Sequence, residues 1–64
     1  MKKIVYLGRK WNKDLAYFRI AGRENRLALS ESTLKFLITH PSSMKLGPAD
    51  IAELKLGLRG FQIL

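Results

Sequence analysis

Cysteine is absent from this chain, and histidine occurs once, at His40. Without thiols neither a disulfide nor a thiolate zinc site can form, and a single imidazole cannot assemble a nitrogen ligand set. No metal or cofactor is expected. Long apolar runs are missing too. Nothing approaches the roughly 18 residues of a membrane span. The apolar stretch after Met1-Lys2-Lys3 runs from Ile4 to Leu7, short of the roughly 7–15 residues of a signal core. A soluble protein is expected, and the lack of cysteine fits a cytoplasmic location. The glycines at 8, 22, 47, 57 and 60 never form the spaced cluster, closed by Lys and Ser or Thr, that cradles phosphate. Acidic residues are also few, five against twelve Lys and Arg, for a net charge of +7.

The 64 residues allow one small basic domain, 1–64. A chain this short buries only about 60% of its unfolded surface. Stability must then come from close packing or from a second copy of the chain. The hydrophobic fraction of 47% argues against disorder.

Three short runs read as strands. Lys3 to Gly8 is rich in β-branched and aromatic residues and ends at glycine. Leu15 to Ala21 ends at Gly22, and Arg26 to Leu29 returns after the turn Gly22-Arg23-Glu24-Asn25. Such short connections predict an antiparallel meander. Ser30 is a natural helix N-cap with Glu31 complementing the dipole; Leu34, Leu37 and Ile38 share one face, and the helix is expected to stop by Thr39 or His40, before Pro41. Pro48 suits the first turn of a second helix, with Asp50 near its positive end. Ile51, Leu54 and Leu58 form its apolar stripe, which Ala52 and Leu56 can widen. Gly57 and Gly60 read as helix termination, and Phe61-Gln62-Ile63-Leu64 as a fourth strand or a docking tail. The fold class is α+β: a three-stranded antiparallel meander followed by two short helices.

The charge is concentrated. Residues 1–26 hold eight cations and two anions, a net +6, whereas the remaining 38 residues net +1. Focused positive charge attracts phosphate polymers or acidic surfaces. In the second strand, Ala16, Phe18 and Ile20 form the expected core face, which leaves Tyr17 and Arg19 outward, near Arg26. The first strand reads either way. If Val5 and Leu7 face the core, Tyr6 joins the exposed aromatics. The loop adds Arg9, Lys10, Trp11 and Lys13, and the next turn adds Arg23. Trp11 reads as a core anchor or as a ligand contact among its polar neighbours. The tyrosines read as stacking groups or as cover for the back of a small sheet.

The expected function is non-enzymatic binding of nucleic acid, DNA or RNA, through Arg9, Lys10, Trp11, Lys13, Tyr17, Arg19, Arg23 and Arg26. Cations would neutralise phosphates while the rings stack on bases or the sheet enters a groove. The alternative is an adaptor or inhibitor whose basic face docks on an acidic protein partner. His40 reads as a partner for the last carbonyls of its helix rather than as a catalytic base, since no second catalytic group can be placed beside it. Asp50 and Glu53, three apart, read as a solvated helix start. The apolar tail together with Leu34, Leu37, Ile51, Leu54 and Leu58 exceeds what one small core needs, which points to a homodimer.

Overall fold

The computed structural model describes residues 3–62. Three strands, β1 (Ile4–Gly8), β2 (Ala16–Ile20) and β3 (Leu27–Leu29), form an antiparallel sheet in the order β1-β2-β3. Two α-helices follow, α1 (Glu31–Thr39) and α2 (Pro48–Gln62), joined through a 3-10 turn at Pro41–Met44. The α+β meander read from the sequence is therefore the fold.

Both helices lie on one face of the sheet. Ile4, Ala16, Phe18 and Leu29 from the strands meet Leu34, Leu37 and Leu54 from the helices in one core, with Tyr6, Ile20, Leu27, Ile38, Ile51 and Leu58 packed around it. The chain measures 30 × 27 × 15 Å along its principal axes. The short dimension holds a sheet and one layer of helices, with no room for a third layer about 10 Å further out.

Register settles the face of β1. Ile4 pairs with Ile20 and Tyr6 with Phe18, so Ile4 and Tyr6 share the inner face with those partners, and the Tyr6 and Phe18 rings meet at 5.4 Å. Tyr6 is thus not an exposed aromatic. Its slot is fixed by β2, whose alternation was clear. A bulge lies between Tyr6 and Gly8, and Gly8 has φ of 99°, a left-handed conformation that turns the strand into the following loop. Gly22, at φ 81°, sits third in the turn closed by the Arg23 N–H donating to the Ile20 carbonyl, where a positive φ is required.

The helix boundaries at 31 and 48 follow the predicted caps. Ser30 Oγ accepts from the Thr33 N–H at 3.3 Å, and α1 ends at His40, whose N–H donates to the Phe36 carbonyl. The end of α2 differs from expectation. The helix runs through Gly57 and Gly60 to Gln62, so these glycines do not terminate it. They permit close approach instead. A Cβ on Gly57 would lie 2.5 Å from Phe18 Cζ, and one on Gly60 would lie 2.5 Å from Tyr6 Oη. Phe61 and Gln62 accordingly complete a helix rather than a fourth strand, and Ile63 and Leu64 lie outside the described residues.

The carboxylates also depart from the solvated reading. Asp50 is 1% exposed and Glu53 is 9% exposed. β1 is an edge strand, and its N–H groups facing away from β2 need acceptors. Asp50 Oδ1 accepts from the Lys3 N–H at 2.7 Å and the Ile4 N–H at 3.0 Å, and Glu53 Oε1 accepts from the Tyr6 N–H at 2.9 Å. The backbone N–H of Gly47 also donates to Asp50, closing half of a capping box at the start of α2. Three residues of helix advance about 4.5 Å and two residues of strand about 6.8 Å; the longer Glu side chain spans the difference. Buried rotation of the stripe toward 50, 53, 54 and 57 leaves Ala52 and Leu56 exposed instead of widening the core.

The side chains read as an apolar surplus are used within the chain: Leu34, Leu37 and Leu54 are buried, and Ile51 and Leu58 pack on them. Large apolar groups that stay exposed are Trp11, Phe36, Met44 and Leu56.

Two stability measurements test this arrangement. Burial alone would raise the Asp50 pKa, but the backbone donors of Lys3, Ile4 and Gly47, with the Lys3 charge, hold it below the ordinary 3.8. The stability it contributes is therefore complete above about pH 4 and is lost as pH falls through the lower folded value. Asp50→Ala strands buried N–H groups and should cost about 3–5 kcal/mol, a large share of the roughly 0.05–0.15 kcal/mol per residue that domains retain. Urea midpoints across pH should show both the loss and a flattened acid limb. In the same assay Gly57→Ala should destabilise by about 1–3 kcal/mol, because the Phe18 ring it meets is fully buried in the core. Gly60→Ala should cost less, since it meets only the tip of a half-buried tyrosine; equal costs would contradict the close approach at Gly57.

Candidate functional site

With both helices on one side, the other face of the sheet is left bare by the described residues. Its outward positions are Val5 on β1, Tyr17 and Arg19 on β2, and Ala28 on β3, with Val5 opposite Arg19 and Tyr17 opposite Ala28. Strand alternation puts these side chains outward because their neighbours Ile4, Tyr6, Ala16, Phe18, Leu27 and Leu29 face the core.

The β1–β2 loop supplies the tryptophan. Asn12 organises the loop, its carbonyl accepting from the Leu15 N–H at 3.1 Å and its side-chain Oδ1 from the Asp14 N–H at 2.9 Å. This local turn brings Trp11 back over the end of β2, where its ring meets Tyr17 edge-on at 4.9 Å. The indole does not enter the core and is 44% exposed. Cations are layered on it: the Arg26 guanidinium carbon lies 4.0 Å from the ring centroid and Lys10 Nζ lies 4.7 Å away. Each such contact contributes only about 0.5–1 kcal/mol at an exposed site, so their main effect is to hold positive charge against an aromatic surface.

Lys10, Trp11, Tyr17 and Arg26 thus form one cluster. Beside it, Lys3, Val5, Arg19 and Arg23 line an open hollow together with Glu24, three cations against one carboxylate. Arg19, Arg23, Lys10 and Arg26 are exposed and form no ion pair among the described residues. Lys3 and Val5 were not among the residues read from the sequence as the site. The ambiguous alternation of β1 concealed Val5, and Lys3 joins through the turn that follows β2.

Two of the expected residues, Arg9 and Lys13, join neither group. Arg9 is half-buried: its Nη1 donates to the Lys13 carbonyl at 2.7 Å, and its guanidinium sits 4.8 Å from the Phe61 ring centroid. It ties the loop to the end of α2 and so positions Trp11 rather than joining its cluster. Lys13 stays exposed in the loop. His40 is exposed at the opposite side of the molecule, stacked on Phe36 at 4.4 Å, with Nδ1 at 3.0 Å from the Phe36 carbonyl. That carbonyl contact is the one expected of a histidine at a helix end.

Among the described residues, no group of three or more His, Asp or Glu is placed to hold a metal ion, and no helix is long and apolar enough to cross a membrane. No family model matches the chain, and neither a curated protein nor a solved structure matches it.

Proposed function

We propose that this protein binds nucleic acid through the bare face of its sheet and the adjoining loop, without catalysis. The observation that supports this reading is the Trp11–Tyr17 pair standing outside the core with Arg26 and Lys10 layered on the indole. Phosphate is met by the exposed cations Lys10, Arg19, Arg23 and Arg26, and the rings offer π surface to bases. Two of the five acidic residues are buried under β1, so little negative charge opposes a polyanion there.

Salt dependence tests the proposal. Binding of labelled oligonucleotides should weaken linearly on a log–log plot, by about 0.7–0.9 in slope per phosphate neutralised. Arg19→Ala and Arg26→Ala should each lower the slope by about one; the urea midpoint should stay unchanged for Arg19→Ala and fall only by the loss of one exposed cation–π contact for Arg26→Ala. Undetectable binding at low ionic strength, or binding indifferent to salt, would remove the proposal.

A further inference from the structure

We infer that the ligand of this face is single-stranded rather than duplex nucleic acid, held by a base stacked against the Trp11–Arg26 layer. The inference rests on the reading above and narrows it. Three observations carry it together.

First, the sheet is poor in groups that read base edges. Of its outward strand positions, Val5, Tyr17, Arg19 and Ala28, only Arg19 carries a guanidinium fork, and Val5 and Ala28 offer no polar atom beyond the backbone. Reading a duplex groove requires an array of long donors and acceptors entering it together. Second, the chain's one tryptophan is kept 44% exposed beside Tyr17. In a duplex the base faces are already covered by their neighbours, whereas unpaired bases present them to aromatic rings and guanidinium planes. Arg26 at 4.0 Å from the indole centroid extends that stack by one charged layer. Third, cations surround the aromatic pair closely. Lys10 and Arg26 lie against the indole, Arg26 follows the register beside Arg19, and Arg19, Arg23 and Lys3 line the neighbouring hollow. A single strand laid along β2 would have its bases over Tyr17 and Trp11 and its phosphates on the cations beside them.

The test compares one labelled single-stranded oligonucleotide, its duplex of the same length and polyglutamate of matched charge, by label anisotropy and by Trp11 fluorescence at low salt. The single strand should bind most tightly and quench the indole. Trp11→Ala should weaken single-strand binding by about 5- to 150-fold, leave duplex binding unaltered with a folded chain and a modestly lower urea midpoint, and be largely rescued by Trp11→Phe. Duplex binding as tight as single-strand binding, or a Trp11→Ala variant that binds normally, would overturn this inference while leaving nucleic-acid binding in place. Failure to bind either nucleic acid, or equal affinity for polyglutamate, would overturn both and turn attention to an acidic protein surface.

Discussion

An edge strand cannot leave its outward N–H groups buried and unpaired, and in this chain two carboxylates on α2 meet that requirement for β1. Asp50 takes Lys3 and Ile4, and Glu53 takes Tyr6. Both acids stay buried because backbone donors replace the water they lose. The pairing fixes α2 along the open edge of the sheet, running with β1. Gly57 and Gly60 then let the helix close onto Phe18 and Tyr6 without side chains of their own in the way. α1 packs against α2 with Leu34 and Leu37 in the shared core, and both helices fall on the same face.

The bare face follows from that placement. Among the described residues no third layer covers it, so Tyr17, Arg19, Val5 and Ala28 remain at the surface. The same carboxylates that hold β1 are withdrawn from the surface, and the exposed cations Lys10, Arg19, Arg23 and Arg26 are left with Glu24 as the carboxylate of the adjoining hollow. Arg9 completes the arrangement from the far end, linking the loop to Phe61 and so setting Trp11 over β2. Structural anchoring and surface charge are thus one problem solved by the same residues.

Local signals in the sequence carried most of the fold. Alternation in Ala16, Phe18 and Ile20, the Ser30 cap and the Pro48 start are encoded within a few residues, and each element appears where those signals put it. What escaped was set by contacts far apart in the chain. Whether Ile4 or Val5 faces inward depends on pairing with β2, and the glycines of α2 look like stops until the Phe18 ring is seen beside them. Asp50 and Glu53 resemble an ordinary acidic first turn because their partners lie 46 and 47 positions away. The candidate site divided along the same line: strand alternation put Tyr17 outward near Arg26, whereas the place of Lys10 and Trp11 against them is set by the loop, and Arg9 is drawn off by Phe61, at the end of a helix that runs further than its glycines suggest.

The account's central claim is that ligand contact is confined to the bare face of the sheet. Mapping amide and indole N–H shifts by NMR during titration with a single-stranded oligonucleotide tests it most directly. The account predicts perturbations at Lys10, Trp11, Tyr17, Arg19, Arg23 and Arg26, including the Trp11 indole N–H, with the outer helical surface at Phe36, His40 and Leu56 unmoved. Perturbations gathered on Phe36, His40 and Leu56, with the Trp11 indole silent, would contradict it.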